Sequence, residues 1–596
     1  MGTSPLLQPF APHPLTDREY WQAIRSNPAL DKLLAAMTDG LDQIPPAPTL
    51  PQASDYLAAR RFNDRNRVDF AWGRLRQQLA SLTLNRCLRG MDPADPDDRL
   101  LDWLWALLNM PTWVLSAHLP KMDLPAAGSP QLDLIACETA AGMAETLEVL
   151  QPWINSVSGT LQQSIIAEID RRVLTPFVQG PDLPGWAKEE PSPGRNNWTG
   201  VCAGVILVAC EALARLGHPR PEARERALRL LRIFFDEAFT PAGECDEGIG
   251  YWSYGVGMAC LGLMRLPAEE VRDRIGAERL AQVAGYPGRV YLFDHCFYSA
   301  NDADMWARAS VHFVPWLAEL TGDRFLWHWV RTSGQTHRLG ILSALREIET
   351  RCRGDALLSR ASSYVPPAVR ELPDQQVLIV RRGRLTVAIG GGTNAERHNH
   401  NDLGHFIAAV DSQVIIPDLG APYYAADFFG SRRYTYLPAS SRGHCCPLIN
   451  GQEQRAGSDA AGAVLERQID DQSPRYLLDL TSAYPSGAGL RRWTRGLSAE
   501  GDAIVIEDVI DCPAVALPAV RHVLWSVAKP AIDGASLRLD SLKVTLDPPP
   551  AKLRVVEVNA DDLRLRSLAG RTLYRIDADY DTDGTGPIRF FTRLEV

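Results

Sequence analysis

The chain has 596 residues, 45% of them apolar and 22% charged, with a formal net charge of −10 and a pI near 5.7. That length exceeds what one hydrophobic core supports, so two or three domains are expected, and the composition excludes a disordered or fibrous chain. The acidic balance argues against nucleic-acid binding, which needs a basic face. A polyanionic partner would need the basic residues gathered in one cleft.

The opening stretch, MGTSPLLQPFAPHPLTDREYW, lacks a basic segment followed by an apolar core of the secretory kind. No run of about 20 apolar residues stands out as a membrane span. A cytoplasmic protein without membrane contact is the expectation. From about residue 15 to 350, apolar residues recur at helical spacing, most clearly over 55–82, 98–108, 198–216, 221–235 and 253–266. Pro- and Gly-rich connections such as 191–197 and 243–250 join them. Long antiparallel helices in this number predict an α/α array, a bundle or a toroid.

From about residue 375 the period changes. The stretches 376–380, 384–389 and 406–416 are short and β-branched, and Asp411–Ser412 marks a hairpin inside the last. Similar runs follow at 475–480, 490–497, 503–509, 521–527, 553–558 and 572–576, with turn signals between them. This pattern predicts an antiparallel β-sandwich. The polar, Pro-containing stretch 355–372 separates the halves, so the expected domains are 1–365, helical, and 366–596, β. Eleven cysteines, an odd number at irregular spacing, form no disulfide framework. Cys202, Cys210 and Cys260 sit in apolar helical contexts and read as reduced core residues. Cys445 and Cys446 are adjacent and would not pair without strain.

Three constellations carry chemistry. The first is Arg397-His398-Asn399-His400-Asn401-Asp402-Leu403-Gly404-His405-Phe406, with three of the chain's twelve histidines inside eight residues. A strand would place His398, His400 and Asp402 on one face. With Asp418 at the end of an apolar run and His444 after Ser441-Arg442-Gly443, they form a set of N and O donors of the kind a metal requires. The second is Asn196-Asn197-Trp198 before a helix. Either asparagine suits an N-cap, and either could present an amide to a carboxylate. The third is 246–255, where a Gly-rich loop brings Glu247, Tyr251, Trp252 and Tyr254 to a helix start. Aromatic faces suit sugar rings, and a phenol transfers protons.

These groups suit β-elimination from a uronate. An amide facing the carboxylate stabilises the charge that develops there. A tyrosinate or histidine takes the C5 proton, and a tyrosine protonates the leaving O4, proton transfers of a kind that contribute roughly 10²–10⁴-fold. No nucleotide cofactor is expected, since neither GxxxxGK[ST] nor a GxGxxG after a strand is present.

The segments 196–198 (NNW), 247–255 (EGIGYWSYG), 398–406 (HNHNDLGHF) and 441–451 (SRGHCCPLING) resemble the heparinase II/III-like polysaccharide lyases. The resemblance implies an N-terminal (α/α) toroid followed by a C-terminal antiparallel β-sandwich, and a lyase acting on hyaluronan, chondroitin, heparan sulfate or alginate. It implies that Asn197 neutralises the carboxylate, that Tyr254 is the acid or acid/base with Tyr251 as its rival, and that His398 assists as neutraliser or base. It also implies one divalent metal, zinc or else manganese, on His400, Asp418 and His444, with Asp402 in reserve. Some relatives carry a histidine where this chain has Asn197, which shifts base duty to Tyr254 or His398. Trp198, Glu247, Tyr251, Trp252, Arg397, Arg433 and Tyr434 are the expected substrate contacts. Arg432, Arg442 and the polar insertion 299–304 are further candidates. The alternatives are a glycoside hydrolase on an α/α toroid, which needs a carboxylate pair, and a non-catalytic glycan-binding protein.

Overall fold

A computed structural model describes residues 4–91, 97–125, 131–180, 183–192, 194–299, 301–333, 340–358, 364–513, 515, 517–580 and 586–596. The chain divides into two structural units, each discontinuous in sequence. Unit 1 is Met1–Phe239, Trp252–Ala284 and Arg308–Tyr364; unit 2 is Thr240–Tyr251, Gly285–Ala307 and Val365–Val596. The last junction falls beside the boundary expected at 365, but two earlier segments of the presumed helical half belong to unit 2. Part of the expected linker, 359–363, lies outside the described residues.

Unit 1 is helical. Helix α1 (Leu134–Val157) starts at Asp133, whose carboxylate accepts from the Ala136 N–H and so satisfies one unpaired donor of the first turn. Helix α2 (Asn197–Arg215) packs on α1 and on α3 (Pro221–Glu237). It is apolar on every side, as a core helix is. By length and composition α2 alone among the described helices would cross a membrane, yet 83% of its most apolar window is buried in the fold.

Helix α4 (Ile249–Leu263) lies very close to α2. A Cβ on Gly204 would stand 2.3 Å from the Met258 carbonyl, and one on Gly262 2.4 Å from the Gly204 carbonyl. Only glycine permits that approach. The expected helix 55–82 is two helices, Ala53–Phe62 and Asn66–Arg89. Asn63 adopts φ 57° and returns its N–H toward Ala58, a left-handed cap that periodicity does not register.

Unit 2 is antiparallel throughout its sheets. Strands β1 (Val369–Leu372), β2 (Val377–Arg382), β3 (Leu385–Gly390), β4 (Phe406–Val410) and β5 (Gln413–Ile416) pair in sequence order. Asp411, at φ 52°, turns the two-residue hairpin between β4 and β5. An eight-stranded sheet includes Arg492–Glu500, Ala503–Asp511 and Ile588–Glu595, and a four-stranded one includes Pro447–Ile449 and Val520–Ser526. Leu378, Val387 and Phe406 from the first sheet share one core with Trp493, Ile504 and Phe590 from the second. Each such buried side chain contributes roughly 1.5–3 kcal/mol. The result is the helical domain and β-sandwich that the periodicities predict.

Candidate active site

Residues 395–405 are not a strand. They form a loop between the two-residue strand Thr393–Asn394 and β4, with His398 at φ 57° and Gly404 at φ 86°. The alternation expected of His398, His400 and Asp402 on one strand face is therefore absent. These side chains converge because the loop folds back on itself, which costs strain at a non-glycine residue in the left-handed region.

Within unit 2, His398 is the centre of a cluster of two phenols and two carboxylates. Its ring stacks on Tyr251, centroids 4.2 Å apart and planes 19° from parallel. The Tyr251 hydroxyl lies 3.3 Å from His398 Nδ1 and 2.7 Å from the Tyr424 hydroxyl. Asp302 Oδ2 lies 3.0 Å from the same Nδ1, and Glu247 Oε2 lies 3.4 Å from Nε2. Because a carboxylate only accepts, the Asp302 contact places the ring hydrogen on Nδ1. Burial, followed by the Tyr424 phenol and the Asp302 carboxylate, pushes Tyr251 well above the ordinary phenol range. Tyr251 is thus held protonated, a proton donor at neutral pH.

Asp302 has no exposed side-chain surface. Its Oδ1 accepts from His400 Nε2 at 3.0 Å and from Arg433 Nη2 at 2.8 Å. Burial alone would raise its carboxyl, but the hydrogen bonds from His398 and His400 and the charges around it hold it well below its usual range. Arg433 is spent on structure, donating also to the Asn399 and His398 carbonyls. Arg397 is likewise occupied, with both Asp246 oxygens 2.7 and 2.8 Å away. Tyr434 accepts from the Asn399 amide at 3.2 Å. Arg442 pairs with Glu453, and Arg432, largely exposed, with Asp427.

Beside this cluster, two overlapping groups bring ligand atoms within 4.8 Å of one another: His400, Asp402 and His444, and His405, Asp418 and His444. Hydrogen bonding sorts them. His444 Nε2 donates to the Pro438 carbonyl at 2.7 Å, and Nδ1 is engaged in no hydrogen bond. His400 Nε2 donates to Asp302, leaving Nδ1 bare. Asp418 accepts from Gly420 N–H through Oδ1 at 2.6 Å, leaving Oδ2 bare. These three bare atoms are buried and without a hydrogen-bond partner, as buried polar atoms seldom are unless an ion or water completes them. His405 differs. Its Nδ1 accepts from the Cys445 N–H at 2.9 Å, so Nε2 carries the hydrogen and faces Asp418 Oδ2, 3.4 Å away. In that tautomer His405 has no lone pair to give, although its Nε2, like the three bare atoms, is buried without a hydrogen-bond partner.

Burial lowers His405 to about 3, keeping it neutral. Burial would also lower His444, but the Asp402 and Asp418 carboxylates outweigh it and hold the ring up at about 9, where a cation in place of the proton would satisfy the same carboxylates. Arg495, buried on Asp508, donates to the Gly404 and Cys445 carbonyls and so ties the loop of His405 to that of His444. His444 is common to both groups, whereas His400 and Asp418, expected to share one metal with it, fall in different groups, and Asp402 Oδ2 lies 3.8 Å from His444 Nδ1.

In unit 1, Asn196 is the N-cap of α2, accepting from the Trp198 N–H at 3.1 Å. Asn197 follows it, 4% exposed. Trp198 meets His118 edge-on and, with Asp133 and Arg171, lines a cavity of about 1080 Å³. Tyr254 donates to Glu138, which also pairs with Arg76; burial and then the Glu138 charge push its phenol well above the ordinary range. A second cavity, about 420 Å³, adjoins this trio. Trp252, expected against substrate, is a core residue with no exposed surface, donating to the Val283 carbonyl. Its place on the inner side of α4 leaves no face for a sugar.

Tyr424 had no motif or periodicity to mark it. Asp302 lay inside the polar insertion 299–304, of which Ala300 lies outside the described residues; its link to two histidines exists only in three dimensions.

Residues 365–589 match the family model described as Heparinase II/III-like, C-terminal. No curated protein matches the chain by sequence. Among solved structures, heparinase III superposes with a TM-score of 0.63 at 13% identity, over 97% of this chain and 88% of that one. A mutant of the heparan sulfate lyase HepC from Pedobacter heparinus gives 0.58 at 13% identity, over 97% and 87%. The chondroitin AC lyase of Streptomyces coelicolor A3, in complex with chondroitin sulphate, gives 0.56 at 11% identity, over 97% and 82%. Residues 365–589 thus match that C-terminal domain, and the chain as a whole shares the fold of these solved structures, a helical domain followed by an antiparallel β-sandwich.

Proposed function

We propose that this protein is a polysaccharide lyase that cleaves a uronic-acid-containing glycan by β-elimination, leaving a 4,5-unsaturated uronate. The observation that carries this reading is the Tyr251–His398 stack, with the phenol 3.3 Å from Nδ1 and a second phenol, Tyr424, 2.7 Å beyond it. His398 Nε2 takes the C5 proton, with Glu247 beside it to balance the imidazolium formed. The electron pair moves to the C4–C5 bond, the C4–O4 bond breaks, and Tyr251 gives its proton to O4. Buried phenols suit the acid half of this exchange, because burial keeps them protonated. The carboxylates nearby do not make a hydrolytic pair, since Asp302 is fully occupied by His398, His400 and Arg433.

Glycosaminoglycans such as hyaluronan, chondroitin sulfate and heparan sulfate, and alginate among other uronans, are the proposed substrate class; heparinase III, heparan sulfate lyase and chondroitin AC lyase support it by fold. Asn197 is proposed separately as a donor to the uronate carboxylate. His400, Asp418 and His444 would hold zinc, or manganese, in a site built from two imidazoles and one carboxylate. When bound, that cation supplies a fixed positive charge that braces the 395–405 loop.

The deciding experiment follows ultraviolet absorbance of the unsaturated product on a panel of these glycans, with Tyr251→Phe beside Tyr254→Phe. Tyr251→Phe is expected to lose about 100-fold or more in kcat, the scale of one positioned proton donor. Tyr254→Phe is expected to keep its activity and lose stability, since it removes a donor from Glu138. The reverse pattern would transfer the role to Tyr254, and new reducing ends without absorbance would replace elimination with hydrolysis.

A further inference from the structure

The segment Asn301–Asp302 clamps the loop that carries both His398 and His400. Asn301, at φ 59°, accepts from the His400 backbone N–H through Oδ1 at 3.0 Å, and its amide donates to the Asp246 carbonyl and to Glu396. Asp302 then meets both rings with one carboxylate: Oδ2 faces His398 Nδ1 and Oδ1 faces His400 Nε2, each at 3.0 Å. Arg433 completes the arrangement from the far side, reaching Asp302 and the His398 carbonyl together.

A carboxylate shared in this way does two things at once. It puts the hydrogen of His400 on Nε2, which leaves Nδ1 bare. It puts the hydrogen of His398 on Nδ1, which leaves Nε2 to act. The two outcomes together are not available to a neutral side chain of the same shape, because an amide has only one accepting end.

We propose that Asp302 is a positioning residue that sets the tautomers of His398 and His400 through one carboxylate, so that the cation site and the proton-transfer cluster are organised together. The role assigned to His398 rests on the lyase reading; that assigned to His400 rests only on the donor geometry. Asp302 touches neither the reacting atoms nor the cation.

The test is Asp302→Asn in the full-length protein, compared with wild type by three measurements. In ¹⁵N-histidine spectra, wild type shows His400 protonated on Nε2 and His398 on Nδ1, and the variant changes the tautomer of at least one. Zinc affinity by chelator competition falls about 10–100-fold, the usual size of an outer-shell loss. At saturating zinc, kcat on the glycan stays at least about 10-fold below wild type while KM is little changed. Unchanged tautomers with zinc affinity within about 3-fold of wild type would overturn the proposal. So would full recovery of kcat at saturating zinc, which would confine Asp302 to His400 alone. Arg433→Lys guards against misfolding as the explanation: it keeps the carboxylate and a cation, and is expected to retain both wild-type tautomers. If wild type turns over no uronan, the lyase reading fails while the spectra and the zinc titration still judge Asp302.

Discussion

His400, Asp418 and His444 each commit one polar atom to the protein and keep another bare and buried. A cation that binds these atoms in the folded state but not in the unfolded chain stabilises the fold by mass action, about 2.7 kcal/mol at a hundredfold excess over Kd. Chelation is therefore expected to lower the Tm, and zinc to restore it. In Asp418→Asn the chelator-dependent shift should disappear, because the amide gives a weaker oxygen donor and no charge. A Tm indifferent to chelator in wild type would remove the cation from the site. Glu244 supplies a pH dependence. Its side chain is wholly buried, accepting from the Gln375 N–H at 2.9 Å. Burial raises its carboxyl from 4.5 to about 7, against the opposing pull of that hydrogen bond and of Arg289. The folded state keeps the proton through a window in which the unfolded chain has lost it. Stability should thus fall as pH rises from about 4.5 to 7 and then level, a contribution of roughly 1–3 kcal/mol in total. Glu244→Gln should flatten that slope, read from urea midpoints across the window.

At the scale of elements, the close approach of α2 and α4 is the feature most exposed to a single change. In Gly204→Ala the added methyl meets backbone, at the Met258 carbonyl and the Ala259 Cα, so no side chain can move aside. The helices must separate, at a cost of about 3 kcal/mol or more, while Gly73→Ala, open on the same criterion, should leave the Tm unchanged or raise it. Elements of this kind were largely legible from sequence. Both periods, the hairpin at Asp411–Ser412 and strands such as Ala503–Asp511 followed from alternation and turn residues. What alternation could not supply was the loop 395–405: the two left-handed residues there, His398 and Gly404, turn the chain, and neither leaves a periodic trace. The same limit hid the break at Asn63. For the candidate site, residue types were legible and partners were not. Nothing in a linear sequence ties Asp302 to His398 across 96 positions, or Tyr424 to Tyr251 across 173.

At the scale of the whole molecule, sequence order and structural unit disagree, and the disagreement has consequences for any attempt to isolate the β domain. The family match begins at residue 365, but unit 2 also contains Thr240–Tyr251 and Gly285–Ala307. Those two segments supply acceptors for buried donors on the far side of the boundary. Arg370 donates to the Gly288 and Tyr291 carbonyls, Arg381 to the Leu292 carbonyl, and Gln375 to Glu244 and the Cys245 carbonyl. They also carry Tyr251, Glu247 and Asp302, three of the groups around His398. A fragment spanning 365–596 would leave these donors without partners, at about 1–3 kcal/mol for each one that stays buried. Several such losses equal the whole stability of an ordinary domain. The fragment is therefore expected to melt well below the intact chain, and its β1 and β2 amides, Gln375 between them, to exchange with solvent far faster. Protection of those amides equal to that in the full-length protein would mean that the β strands hold without the two inserted segments, and that the sequence boundary is also the folding boundary.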